Sequence, residues 1–218
     1  MAQEREIATK ISALGEMLNI VSAIRAIAAS QMQQALQSLE AIRGYSETIR
    51  GALSEAAALL PSDRIAAPVP EISNSGLIVF SAEHGLCGGF NEHLLHRAER
   101  VLEPGRQRVV LVVAGTRGGQ IFRERGLKPD LVLPMATHCA GVTAAARRIA
   151  TEVYRMFSDR KITALEVIYA QQAGNELAGV ERRRLLPLEM PTLEARQPAV
   201  PPLVNLNPRR LFDDIAGE

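Results

Sequence analysis

The sequence has few of the residues that mark an extracellular protein or a nucleic-acid-binding protein. Tryptophan is absent and aromatic residues make up only 4% of the 218 residues, so aliphatic side chains must fill any core. The 25 lysines and arginines are nearly balanced by 24 acidic residues, which argues against a protein that holds a nucleic-acid backbone. Two cysteines, Cys87 and Cys139, are too few for a disulfide scaffold in a chain of this length.

A hydrophobic signal core is also missing from the start of the chain, which reads Met-Ala-Gln-Glu-Arg-Glu. No apolar stretch approaches the roughly 18 to 20 residues that span a bilayer. We therefore expect a soluble, intracellular chain that does not insert into a membrane. The apolar share of 47% is high enough for a packed core.

The first sixty residues carry apolar side chains at alternating steps of four and three. A spacing of 3.5 residues held over this length indicates a left-handed coiled coil, because a solitary helix drifts away from such a stripe. Only Arg25 and Ser46 interrupt it, and no proline occurs before Pro61. We call this stripe the seam; its positions are Ile7, Ile11, Leu14, Leu18, Val21, Arg25, Ala28, Met32, Ala35, Leu39, Ile42, Ser46, Ile49, Leu53, Ala56 and Leu60.

A helix of about 55 residues would be on the order of 80 Å long, far longer than a small domain can cover. The seam therefore needs a partner helix, and much of the rod must project. The alternative is a helix folded back within a bundle, although no second long helix follows in this chain. Arg25 on the seam is costly to bury unless an acidic group or solvent meets it, or its side chain snorkels at the rim.

The middle of the chain alternates between short apolar runs and amphipathic segments. Alternation of this kind predicts an open, Rossmann-like α/β sheet that is mostly parallel and ends in an antiparallel hairpin. Asn91 is expected to cap the first helix of this domain. The predicted strands are 77–80, 108–114, 131–133, 164–170 and 180–188, and the predicted helices are 91–102, 116–126 and 142–157, with Gly174 and Asn175 in the hairpin turn.

These patterns divide the chain into four parts. Residues 1–60 form the long coiled-coil helix, 61–75 a linker rich in proline and alanine, and 76–190 the α/β domain. Residues 191–218 are a proline-rich segment and the start of a C-terminal helix, which Asn207 and Pro208 cap and open.

The Gly-rich turn of residues 85–91, between the first strand and its helix, is the main candidate for chemistry. Such a turn can cradle phosphate on backbone N–H groups. It lacks the Gly-Lys-Ser/Thr ending of a P-loop and does not match Gly-x-Gly-x-x-Gly, so the signal is weak. The favoured interpretation is a structural turn in which Gly88 and Gly89 allow close backbone packing; its other marked positions are Gly85, Cys87 and Asn91.

Other reactive residues form no convincing set. Cys87 and His84 could be a nucleophile and its base, but no third orienting group is evident. His93 and His96 lie three apart on a predicted helix, yet no cysteine or carboxylate completes a metal site at the right spacing. The run Glu181–Arg184 is typical of a solvated edge strand. We expect no catalytic residue, no cofactor site and no metal site.

Several segments together resemble one known family. The helix segments Ala23–Ser30 and Gln31–Ala35 look like the N-terminal signature of F-type ATP synthase gamma subunits, and the turn Gly85–Asn91 resembles that family's central signature. The segments Arg184–Pro187 and Asn205–Pro208 are also similar to it. The resemblance covers nearly the whole chain.

The resemblance implies a central-stalk rotor subunit with no active site of its own. In that family the N-terminal helix pairs with a C-terminal helix inside a ring of catalytic and non-catalytic subunits. The α/β domain stands against the membrane rotor ring and a small central-stalk subunit. Rotation of the shaft then couples proton or sodium flow to ATP synthesis or hydrolysis. The resemblance also implies a location on the cytoplasmic face of a prokaryotic cell membrane, as a peripheral protein.

Two departures from the family pattern matter. The usually basic stretch after Ser30 contains Gln31, Gln33 and Gln34, while Arg25 keeps a positive charge and is the candidate ring contact. Little of the family's long C-terminal helix lies before Glu218, so the seam's usual partner is missing from the sequence. Two other functions stay open on sequence alone. One is a small nucleotide- or ligand-binding α/β domain that uses the turn 85–91, and the other is a coiled-coil adaptor.

Overall fold

The computed structural model describes residues 2–59, 74–102, 108–173, 176–187 and 207–216. They belong to two compact units, Met1–Thr48 and Ile49–Glu218. The predicted linker 61–75, the predicted hairpin turn at 174–175 and the proline-rich segment after residue 190 lie wholly or mostly outside the described residues.

The first unit is helical throughout its described length. Helix α1 runs without interruption from Ala2 to Ala58, so it also supplies the first residues of the second unit. The continuous helix confirms the long N-terminal helix predicted for this segment, while the coiled-coil pairing of its seam stays a prediction. The last seam position, Leu60, lies outside the described residues.

The expectation that no stretch of the chain is long and apolar enough to span a membrane is wrong for α1. An 18-residue window of this helix has a mean hydropathy of 1.4, so by length and composition alone the helix could cross a membrane. Polar residues scattered through the helix divide it into short apolar runs, so the length of the apolar window is not evident from any single run. A single such window is weak evidence for a span, since a helix made to be covered by other protein has the same composition.

The described part of the second unit contains one five-stranded sheet in the order β3-β2-β1-β4-β5. Strands β1 to β4 are parallel, and β5 pairs antiparallel with β4 at the edge. Strands β1 to β3 are mostly apolar on both faces, as expected for strands covered on both sides. The bounds are β1 Ser75–Phe80, β2 Val109–Ala114, β3 Leu131–Leu133, β4 Ala164–Ala173 and β5 Glu176–Leu186.

Helices cover both faces of this sheet. On one face Leu94 and Leu95 of α2 and Phe122 of α3 pack in one cluster with strand residues; on the other, Ile149 and Val153 of α4 do so. The direction of winding therefore changes between β1 and β4, the topological switch point of a doubly wound sheet. The helices are α2 Phe90–Val101, α3 Thr116–Glu124, α4 Val142–Ser158 and α5 Pro208–Ala216.

The predicted elements agree with these bounds to within a few residues, and α5 begins as predicted. The Asn207 side chain accepts a hydrogen bond from the Arg209 N–H at 2.9 Å, which caps α5. Asn91, by contrast, does not cap α2. Gly89 occupies the cap position without a side-chain bond, and Asn91 is a buried residue of the first turn.

Candidate functional site

The seam residues of the first unit lie on the surface of α1. Seven of the eight apolar seam residues put forward as contact positions are 40–67% exposed, and Met32 is half-buried. Arg25 is also exposed, so its charge carries no burial cost in this chain. The seven exposed residues are Ile7, Ile11, Leu14, Leu18, Val21, Leu39 and Ile42.

A second apolar stripe runs beside the seam. Its residues were not among the predicted contact positions. Met17, Ile20, Ile24 and Ile27 are spaced by three, four and three residues and are 49–61% exposed. At about 100° per residue they lie next to the seam and widen the apolar surface to more than one side of the helix. The signal was present in the sequence as a second series of the same period. A helix that is apolar on several sides is normally enclosed by more than one neighbour.

The turn after β1 is fastened to the neighbouring strand ends by Glu83. Its carboxylate accepts hydrogen bonds from the Thr116 N–H at 2.9 Å, the Thr116 hydroxyl at 2.7 Å and the Met135 N–H at 2.8 Å. Burial opposes ionisation, but these three donors favour the charged form, and the pKa of Glu83 is lowered overall. Glu83 thus places a negative charge at the N-terminus of α3, where the helix dipole favours it.

Ser81 joins the ends of β1 and β2. Its N–H and its hydroxyl both donate to the Ala114 carbonyl, at 2.7 and 2.9 Å. A Cβ at Gly118 would overlap the Ser81 side chain, so only glycine allows α3 to approach this closely. The prediction that Gly88 and Gly89 allow close backbone packing is wrong. At those positions a Cβ would meet nothing closer than the His93 ring at 3.6 Å.

Backbone conformation explains the glycine at 88 instead. Gly88 has a φ of +56°, in the left-handed region that glycine enters at no steric cost. Leu86 also has a positive φ, +63°, and its side chain is 97% exposed. A bulky residue in that region costs on the order of 1 kcal/mol. Residues held in sparsely populated backbone conformations cluster at functional sites, so Leu86 is a candidate contact residue.

The rest of the turn is held by Asn91. Its Oδ1 accepts a hydrogen bond from the Ala82 N–H at 3.0 Å, and its Nδ2 donates to Cys87 Sγ at 3.4 Å. The Cys87 thiol also contacts the backbone carbonyl of His84 at 3.9 Å, so the hydrogen bonds found for this thiol do not involve the His84 ring. This arrangement does not support a nucleophile and base at these two residues.

The arrangement also weakens the case for a phosphate site at the N-terminus of α3. A ligand of a doubly wound sheet binds beyond the carboxyl ends of the strands, against a helix N-terminus. Here the Glu83 carboxylate already occupies the N-terminus of α3 and would repel a phosphate there. Within the described residues no group of three or more His, Cys, Asp or Glu side chains is placed to hold a metal ion.

The chain matches one protein family over almost its whole length. The family model described as ATP synthase matches residues 3–216. Among curated proteins, the chain is 28% identical over 226 residues to an ATP synthase gamma chain from Mannheimia succiniciproducens, covering 99% of this chain and 76% of that one. It is 30% identical to a gamma chain from Histophilus somni, covering 78% of this chain and 60% of that one. The chain thus spans roughly 60–76% of the length of these relatives.

A solved structure shares the fold. The central stalk of the Tetrahymena thermophila mitochondrial ATP synthase, solved with its c-ring, matches with a TM-score of 0.54 and 18% identity. The match covers 77% of this chain and 72% of that one. It confirms the fold class predicted from the sequence, a long N-terminal helix with a mostly parallel α/β sheet.

Proposed function

The chain belongs to the ATP synthase gamma-chain family, and from that premise we propose that it is the central-stalk rotor subunit of an F-type ATP synthase. In this role it couples proton or sodium flow through the membrane sector to ATP synthesis or hydrolysis in the catalytic ring. The observation that carries the proposal is the apolar surface of α1. A helix of 57 residues that exposes most of its seam is built to be covered by other polypeptide.

The second stripe supports enclosure of α1 within a ring. The seam alone would satisfy one partner helix, whereas Met17, Ile20, Ile24 and Ile27 need a neighbour on a further side. Arg25 lies on the seam itself, and its exposed charge is available to an acidic group of the ring. The seam residues are therefore proposed as the helix-pairing surface and Arg25 as the ring contact.

We assign no catalytic step to this chain. The polar side chains near the carboxyl ends of the strands already have hydrogen-bond partners. Ser81, Glu83 and Asn91 are each hydrogen-bonded to neighbouring backbone groups. Nucleotide chemistry then belongs to the ring subunits. The alternative of a nucleotide-binding α/β domain has no observation in its favour at the turn 85–91.

The partners follow from this placement. The α1 helix meets the catalytic and non-catalytic ring subunits, and the α/β domain meets the small central-stalk subunit and the membrane rotor ring. Leu86, which is held in solvent, is a candidate contact of the α/β domain. The subunit would be peripheral to the membrane, on the cytoplasmic face of a prokaryotic cell, with no inserted segment.

Co-expression with the ring subunits encoded in the same genome tests the proposal. We expect the 218-residue chain to co-purify with a tagged catalytic subunit. The double variant Ile11→Asp with Leu18→Asp places two charges on the seam and should abolish co-purification. The control variant, Thr9→Asp with Gln37→Asp, places two charges on the opposite side of α1 and should co-purify normally.

Two results would count against the rotor role. One is absence of the unmodified chain from the purified ring, with the chain itself folded and present in the lysate. The other is equal loss of association in the seam variant and its control, because the seam would then have no special part in assembly. Micromolar binding of ATP to the chain alone, lost on Gly88→Val, would favour the ligand-binding alternative instead.

A further inference from the structure

Helix α2 separates its charges into two flanks. At about 100° per residue, His93, Arg97 and Arg100 fall on one side of its buried face, while Glu92 and Glu99 fall on the other. The basic flank faces the edge of the sheet where β5 runs. Its residues line a surface cavity of about 380 Å³ together with residues of β4 and β5.

The cavity has an apolar floor and a basic rim. Phe90, Ala170 and Val180 are half-buried and pack against the core below. The side chains of His93, His96, Arg97 and Arg100 also line the cavity, and none of the described lining residues is acidic. A concave site of this kind concentrates positive potential, since its low-dielectric walls focus the field.

The positive charge of this site is not balanced within the described part of the chain. Glu99 contacts only His96 of this group, at 3.2 Å, and that contact is exposed. Arg97 Nε is buried and has no hydrogen-bond partner. Buried polar groups are normally paired, and among the described residues this helix has one other such atom, Glu92 Oε2 on the acidic flank. The rest of the half-buried Arg97 guanidinium is open to an acceptor from outside the described residues.

The neighbouring strand offers a second kind of contact. β5 is the edge strand of this sheet, so among the described residues the backbone groups on its outer side have no partner strand. The pairing of β4 with β5 shifts register beside Gly179, which has a φ of +146° and lines the cavity. An extended segment could therefore lie along β5 while its side chains enter the cavity.

We propose that the cavity between α2 and the β4–β5 edge is a docking site for an acidic, extended segment of a partner protein. Carboxylates of that segment accept hydrogen bonds from Arg97 and Arg100, and its apolar atoms contact Phe90 and Val180. The apolar floor and the free strand edge favour a peptide over a free anion, which would use neither. This inference goes beyond the rotor role and does not depend on it.

The probe is a fluorescent, acetylated hexaglutamate peptide, titrated into the full chain and followed by anisotropy. We expect binding that weakens about tenfold between 50 and 500 mM salt, because exposed charges are screened over a few ångströms at high salt. A hexaglutamine peptide of the same length should bind at least about tenfold more weakly.

Variants locate the binding. Arg100→Gln and Arg97→Gln should each weaken it about three- to tenfold, whereas Arg147→Gln, an exposed arginine of α4, should leave it unchanged. Arg100 is exposed, so its variant folds even if Arg97→Gln does not. The proposal is overturned if the hexaglutamine peptide binds equally well, or if Arg147→Gln has the same effect as Arg100→Gln. It is also overturned if millimolar inorganic phosphate displaces the peptide fully, which would mark a free-anion site.

Discussion

At the scale of single residues, Glu83 links the turn after β1 to Thr116 and Met135 through three hydrogen bonds. We predict that Glu83→Gln lowers the free energy of unfolding by about 1–2 kcal/mol at pH 7, because a neutral amide accepts the three hydrogen bonds less strongly. The pKa of Glu83 is depressed in the folded chain, so this stability is present above the ordinary value of 4.5. It is lost as pH falls through the folded pKa.

Urea unfolding at pH 7 and near pH 3 measures this effect. Wild type and Glu83→Gln should differ at pH 7 and converge at the lower pH. Glu124→Gln serves as the control, since Glu124 makes only an exposed ion pair with Arg117 at 3.8 Å. A difference between wild type and Glu83→Gln that persists unchanged at pH 3 would rule out the charge as its cause.

Gly118 gives a steric prediction beside the same turn. Gly118→Ala should destabilise the chain by about 2–3 kcal/mol, because the new methyl group overlaps the Ser81 side chain and forces α3 away from β1. Thermal unfolding compared with Gly85→Ala checks it, since a Cβ at Gly85 meets nothing within 4 Å. Equal melting temperatures for the two variants would refute the close approach.

Residue-level features of this turn were only partly predictable. The sequence marks the turn by its glycines but does not say which glycine is needed for which reason. Gly118 is required by contact with Ser81, which is 37 residues away in the chain, so no local pattern reveals it. Asn91 has the composition of a helix cap, yet the nearby Ala82 N–H and Cys87 thiol draw its amide into the interior. In both cases a tertiary contact overrides a local preference.

At the scale of elements, α1 was predictable because its signal is a long repeat. A 3.5-residue spacing held across many turns cannot be satisfied by a strand or by loops. The second stripe has the same period but fewer members, and the polar Gln31 follows its last residue, Ile27. Only the exposure of both stripes, seen along the whole helix, shows how wide the apolar surface is.

A matched pair of leucines tests whether the seam is the pairing surface. Leu39 lies on the seam and Leu36 lies beside it, and both are 40% exposed. We predict that Leu39→Asp weakens association with the ring subunits by about tenfold or more, since its carboxylate would be buried against a partner without a counter-charge. Leu36→Asp should have a smaller effect, about threefold or less.

Surface plasmon resonance against the immobilised ring measures both affinities. The equal exposure of the two leucines in the free chain means that any difference arises in the complex. If Leu36→Asp is the more damaging variant, the pairing surface is centred on another stripe of α1 and the seam assignment is wrong.

At the scale of the whole molecule, the sheet order was the hardest feature to predict. Alternation of strands and helices fixes an open parallel sheet, and the short connection before β5 fixes its antiparallel direction. The position of β4 beside β1 depends on which sheet edge each crossover returns to, and many sequences are compatible with either edge. The sequence likewise predicted the apolar seam of α1. It did not predict the cavity between α2 and the β4–β5 edge.

The two units should differ in how they respond to assembly, and hydrogen exchange can show this. In the isolated chain the amides of residues 7–48 should exchange quickly, because a single exposed helix gains little from packing. The amides of β1 and β2 should be protected, since these strands are buried and paired on both sides. On assembly with the ring, exchange in residues 7–48 should slow by about a hundredfold or more while the strand amides stay as they were.

The hydrogen-exchange measurement is repeated at several chain concentrations. Self-association through the seam would slow exchange with concentration and without the ring, whereas a shaft enclosed by other subunits slows only when they are added. Slow exchange of residues 7–48 at every concentration in the isolated chain would mean that this surface is already covered, and the rotor interpretation would then lose its physical basis.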